Sequence, residues 1–144
     1  MPTKSMIRTA AALGLALATA PAGGGFAAEA GSFDGAWSVE IDCPAVGDVQ
    51  AYSWRFPVQI SSGALSGRYH SPTNSAMGTL SGRVRPDGEA LVTVAGRTGP
   101  EEVARFHERP GTPSRYTANV HFDARGGSGV RNEMRACTLT FAKA

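Results

Sequence analysis

Beyond residue 34 the chain alternates apolar and polar positions with period two and shows no sustained helical periodicity. Trp37, Val39, Ile41 and Cys43 share one side of a segment whose other side carries Ser38, Glu40 and Asp42. The strongest run follows, where Tyr52, Trp54, Phe56, Val58 and Ile60 alternate with Ser53, Arg55, Pro57, Gln59 and Ser61. Alternation of this kind predicts half-buried strands. Pro57 lacks an N–H, so the pattern places it at a bulge or at a ladder position that needs no donor.

Turn residues divide the remainder into short strands. Ser61-Ser62-Gly63 separates 52–61 from 64–70, and Ser71-Pro72-Thr73-Asn74-Ser75 separates the latter from 77–85. Pro86-Asp87-Gly88 predicts a tight hairpin into 89–97. Further on, Tyr116, Ala118, Val120 and Phe122 line one face of a strand over 114–124. Arg125-Gly126-Gly127-Ser128-Gly129 is predicted to be the loop leading to a last strand over 130–142, where Cys137, Leu139 and Phe141 share a face. Segment 99–110 reads two ways. Pro100-Glu101-Glu102 suits a helix N-terminus, whereas 102–108 suits an edge strand. The strand reading is preferred because it brings the count to eight. Eight short antiparallel strands with tight turns predict an all-β, up-and-down β-barrel, with a seven-stranded β-sandwich as the alternative.

The two cysteines, Cys43 and Cys137, sharpen this expectation. If they face one another across an antiparallel pair, Ile41 meets Leu139, Val39 meets Phe141 and Trp37 meets Lys143. The first and last strands then pair, as barrel closure requires. A bridge between them closes a loop of about ninety residues, to which the chain-entropy model assigns roughly 4 kcal/mol. Neither Cys-x-x-Cys nor a histidine cluster points to a metal pair instead.

A disulfide needs an oxidising compartment, and residues 1–30 supply the address. Lys4 and Arg8 precede an apolar run, Ala10–Ala20, then Pro21 and Gly23-Gly24-Gly25, with Ala28-Glu29-Ala30 offering small residues to a signal peptidase. That layout predicts a secretory signal peptide, with residues 31–144 as one periplasmic or secreted domain. The run is too short for a membrane anchor. Once it is removed, 12 basic and 11 acidic residues remain, a balance that gives no reason to invoke nucleic acid or an anionic membrane.

Gly35-Ala36-Trp37 at the start of the first strand resembles the Gly-x-Trp of the calycin superfamily, the lipocalins and avidin-like proteins. The resemblance implies a calycin-like barrel in which Trp37 closes one end and Lys143 packs over its indole. Phe33-Asp34-Gly35-x-Trp37, Cys43-Pro44, Tyr52-x-Trp54-Arg55-Phe56-Pro57, Pro110-Gly111-Thr112-Pro113 and Cys137-x-Leu139-x-Phe141 also resemble a group of small secreted bacterial β-domains of unassigned function. That likeness implies a shared domain and brings no activity with it.

Catalytic signatures are missing from the sequence. His70, His107 and His121 stand in no nucleophile motif and read as surface residues. His107-Glu108, and His121 with Asp123, offer two metal ligands at most, which reads as solvated polar surface. Gly126-Gly127-Ser128-Gly129 lacks the helix and Lys-Ser/Thr of a phosphate cradle. No cofactor and no metal is expected. The aromatic residues Tyr52, Trp54, Tyr69, Tyr116 and Phe122 are the feature with ligand chemistry, since all could point into one barrel, with Arg135 sharing the parity of Cys137. Core filling is the first reading of these rings. The second is a cup for a small apolar or anionic ligand, with Tyr52, Trp54, Tyr69, Tyr116 and Arg135 as its wall. Finally, Ser66-Gly67-Arg68-Tyr69 resembles the Ser-Gly-x-Tyr loop of periplasmic lysozyme inhibitors, which implies a protein partner, although here the four residues fall within a predicted strand. The expectation is an exported, non-enzymatic binding protein for an unknown small molecule or protein.

Overall fold

The structure, a computed structural model, describes residues 32–144. The predicted signal peptide over 1–30 lies outside the described residues. Eight strands form one closed, up-and-down antiparallel barrel: β1 Gly35–Cys43, β2 Tyr52–Ser61, β3 Ala64–His70, β4 Met77–Val84, β5 Glu89–Arg97, β6 Pro113–Phe122, β7 Gly126–Arg131 and β8 Thr138–Lys143. Among the described residues no helix is long and apolar enough to cross a membrane.

Closure follows the expected register. Trp37 lies opposite Lys143, Val39 opposite Phe141 and Ile41 opposite Leu139. Cys43 and Cys137 are joined beside that ladder. The inward set Val39, Ile41, Ile60, Leu65, Leu80, Val92, Val120 and Leu139 is fully buried, so the middle of the barrel is packed core.

One end is sealed. Trp37 is 1% exposed, stands edge-on to Phe122 at 5.5 Å between centroids, and donates from its indole N–H to the Phe33 carbonyl at 2.8 Å. Phe122 also packs on Phe141 and Phe33, at 4.8 and 6.3 Å. The Lys143 ammonium lies 5.6 Å from the Trp37 ring centre, where a cation is attracted to the indole face. Asp34 fixes the entering chain here, its carboxylate accepting from the amides of Ser62 (2.7 Å) and Gly63 (3.1 Å) at the β2–β3 turn.

The strand count is the expected one, but its membership is not. Residues 102–108 form no strand. They lie in the β5–β6 connection, where Pro100 starts a single 3-10 turn over Glu101–Val103 and the amide of Val103 bonds the Pro100 carbonyl at 3.1 Å. The eighth strand is β7, cut from the stretch expected to be a glycine loop plus the start of a longer last strand. Asp123 moves the turn forward: its Oδ1 accepts from the amides of Arg125 (2.9 Å) and Gly126 (2.8 Å). Gly127 and Gly129 are then free to pair with Phe122 and Val120 on β6.

Side chains at those glycines would have nowhere to go. A Cβ on Gly127 would lie 2.8 Å from the Phe122 ring, and one on Gly129 would meet the Asn119 carbonyl and, at 2.8 Å, a Val120 methyl. Gly129→Ala is therefore expected to cost about 1–3 kcal/mol by overpacking, seen as an earlier urea midpoint. An unchanged midpoint would mean that β7 can shift away from β6 at no cost.

Pro57 sits where a ladder stops. It is opposite Ser38 of β1, but β2 and β3 pair only over Val58–Ser61 and Ala64–Gly67. The missing N–H falls where β3 asks for no donor.

Candidate functional site

The two ends of the barrel differ in their connections. At the sealed end β2–β3, β4–β5 and β6–β7 are joined by tight turns, whereas the opposite end carries the long connections 44–51, 71–76, 98–112 and 132–137. Loops on a rigid scaffold are the usual place for a binding site.

β2 and β3 diverge toward this open end, and aromatic side chains fill the gap. Trp54 lies 4.4 Å from Tyr69 and 5.2 Å from Tyr52, and Tyr69 lies 5.1 Å from Phe56, all between ring centroids and tilted. The absence of a side chain on Gly78 permits the Tyr69 ring, since a Cβ there would come within 2.9 Å of the Tyr69 ring and hydroxyl. Tyr116 faces these rings from β6 and is buried. All of these rings but Phe56 line a cavity of about 230 Å³. Four of the expected aromatics, Tyr52, Trp54, Tyr69 and Tyr116, are thus brought to one place. Phe122 points inward too, but belongs to the sealed end.

Burial pushes the phenols of Tyr52, Tyr69 and Tyr116 above the ordinary tyrosine range, although Arg131 pulls Tyr52 and Tyr116 partly back. At neutral pH all three are protonated and able to donate a hydrogen bond.

Arg135 lines the cavity, but not from the strand position that parity suggested. It lies in the β7–β8 connection, outside β8, and is 3% exposed. Its Nη1 donates to the carbonyls of Pro44 (3.0 Å) and Gln50 (2.9 Å), and its Nη2 to the carbonyl of Val103 (2.7 Å). Burial lowers its pKa, and the nearby Arg131 and Arg105 lower it further. Arg135 stitches three open-end loops together, with its Cζ 5.2 Å from the Tyr52 ring centre; it adds positive charge beside the cavity, with both hydrogens of Nη1 and one of Nη2 engaged by loop carbonyls.

Two arginines that the sequence reading did not single out also line the cavity. Arg131 ends β7 on the inward side set by Gly127 and Gly129, and its Cζ lies 3.9 Å above the Tyr116 ring. Its Nε is buried without a partner, and its Nη groups meet only sulfur: Met134 Sδ at 3.4 Å and Cys137 Sγ at 3.9 Å. Arg105, in the β5–β6 connection, also has a buried Nε without a partner. Arg97 and Arg115 complete five arginines around the cavity against one carboxylate, Glu108. Among the described residues the ion pairs are Arg55–Glu40, Arg85–Asp87, His107–Asp48 and His121–Glu89, and none uses a cavity arginine.

The histidines serve elsewhere. His121 Nδ1 is 2.7 Å from Glu89 on the outer surface, His107 Nε2 is 3.2 Å from Asp48 across two open-end loops, and His70 is exposed at the end of β3. Among the described residues no three His, Cys, Asp or Glu side chains converge on a metal-sized point. Ser66 and Tyr69 lie in β3 on opposite faces, Ser66 outward and Tyr69 toward the cavity. Compared with known proteins, the chain matches no family model, no curated protein and no solved structure at a significant level.

Proposed function

We propose that this is an exported, non-enzymatic binding protein that holds a small apolar or anionic ligand at the open end of its barrel. The observation that carries the reading is the aromatic cavity itself, set among four long loops and bordered by guanidinium groups without carboxylate partners. The packed middle of the barrel restricts binding to this end. The Cys43–Cys137 bridge points to an oxidising compartment, in keeping with a periplasmic or secreted location. A lysozyme-inhibitor-like role draws no support from β3, because its Ser66 and Tyr69 are not offered together on a loop.

Thermal melts against a panel of small apolar and anionic compounds test the proposal. A ligand at a hundredfold excess over its Kd stabilises the folded state by about 2.7 kcal/mol, several degrees in Tm for a domain of this size. Trp54→Ala should abolish that shift while the protein still melts cooperatively. A flat Tm across the panel removes the binding role.

A further inference from the structure

We propose that the ligand is a small aromatic acid, its ring held by Tyr52, Trp54 and Tyr69 and its oxyanion held by Arg131, which gives up Met134 to take it. This rests on the binding reading above and narrows it to one chemistry.

The cavity has two unlike sides. β2 and β3 supply Tyr52, Trp54 and Tyr69, whereas β5, β6, β7 and the adjoining loops supply the arginines together with Tyr116. A planar body stacks well on the first, and a negative group is drawn to the second. At about 230 Å³ the cavity is smaller than the roughly 300–1,000 Å³ that holds a drug-sized molecule. It therefore suits a single-ring compound.

Arg131 and Arg105 are the cavity arginines with a buried Nε that lacks a partner, and of the two Arg131 is the one stacked on a ring of the cavity wall. Arg135 is committed to three backbone carbonyls. Arg131 has its Cζ 3.9 Å from the Tyr116 ring centre, a cation–ring contact that holds the group in place and leaves its N–H groups for hydrogen bonding. Its Nη groups now meet only sulfur, a weak acceptor, and the Nε donor meets nothing. A buried donor without an acceptor is unfavourable, and a bound oxyanion removes that cost with a charge-assisted, bidentate contact. Glu108 does not supply it, since its Oε2 accepts from the Phe106 amide at 3.0 Å.

Met134 is the group to be displaced. The residue is 47% exposed and its backbone is left-handed, with φ 65°. That conformation is strained for a residue with a side chain. A thioether over the Arg131 edge is held by little and leaves readily.

Titration calorimetry with benzoate, phenyl phosphate, benzamide and benzylamine tests this. Either acid should bind at least tenfold more tightly than benzamide, and benzylamine should not bind. The two acids tell which oxyanion, carboxylate or phosphate, fits better. Arg131→Gln should lower the acid's affinity at least tenfold and leave benzamide unchanged, Arg131→Lys should restore part of the loss, and Met134→Gly should tighten acid binding. Should Arg131→Gln fail to fold, the comparison of acid with amide on the unaltered protein, and Arg131→Lys, carry the decision. Equal binding of benzoate, phenyl phosphate and benzamide overturns the oxyanion anchor but leaves a ligand pocket. So does an Arg131→Gln protein that binds acids normally. Binding by none of the four overturns the pocket as well.

Discussion

Removing the Cys43–Cys137 bridge is expected to lower stability by about 4 kcal/mol, the value the chain-entropy model assigns to a loop of this length. The two residues are 94 apart in sequence, so the bridge restricts almost the whole domain in the unfolded chain. It also does local work in the folded state. It sits at the open-end limit of the β1–β8 ladder, which begins at Asp42 and Thr138 and is the pair that closes the barrel. Both cysteines are buried, so the Cys43→Ser, Cys137→Ser protein places two hydroxyls in the core, of which the one at 137 lies beside Arg131 Nη1 and the one at 43 would have to find a partner among apolar neighbours. Urea titration of the oxidised, reduced and doubly substituted proteins measures the difference. A reduced protein with the oxidised midpoint would mean that the ladder alone holds the ends together. Because Cys137 is two residues from Arg135, reduction should also loosen the open-end loops before it opens the sealed end, which hydrogen exchange can distinguish.

Closure of the barrel was legible in the sequence because it rests on parity. Trp37, Val39 and Ile41 share the parity of Cys43, and Leu139, Phe141 and Lys143 that of Cys137. One covalent link then sets the register of every pair between the two strands. The same logic gathers Tyr52, Trp54, Tyr69 and Tyr116 on the inner face. β7 was illegible for a non-local reason. Its inward positions are glycines because Phe122 and Val120 on the neighbouring strand occupy the space, so the local segment carries turn chemistry without being a turn. Misplacing β7 hid Arg131, which the period-two rule would have turned inward once the strand was known. The 102–108 segment failed in the opposite sense: its alternation is local and unsupported, and Phe106 ends up 66% exposed. Arg135 was expected to be buried by extending the last strand back to residue 130. It is buried, but by loop carbonyls rather than by strand parity. Nothing in a single sequence announces which carbonyls will converge on a guanidinium across residues 44, 50 and 103.

That convergence makes Arg135 the second large effect. Arg135→Met keeps the length and the burial of the stem but removes all three hydrogen bonds, and it strands the carbonyls of Pro44, Gln50 and Val103 around an apolar side chain. Hydrogen bonds to a charged donor contribute roughly 1.5–3 kcal/mol each, and stranded buried carbonyls carry their own desolvation cost. Water entering from the open end recovers part of this, so a net loss of about 3–5 kcal/mol is expected. Arg135→Lys should rescue little, because a single ammonium cannot span three acceptors that a planar fork reaches from two nitrogens. The loss should be confined in space. The Gln50 amide bonds the Glu102 carbonyl at 2.8 Å, so connections 44–51 and 98–112 are already joined and should loosen together. Amide exchange should rise there and stay slow in β1 and β8. Arg131→Met is the matched control. Its guanidinium bonds no carbonyl and no carboxylate among the described residues, so stability should change by less than about 1 kcal/mol while binding at the cavity suffers. Opposite outcomes for these two arginines, four residues apart, would separate the one that builds the open end from the one that the ligand uses. Equal losses of stability would make Arg131 structural as well and take away its freedom to exchange partners.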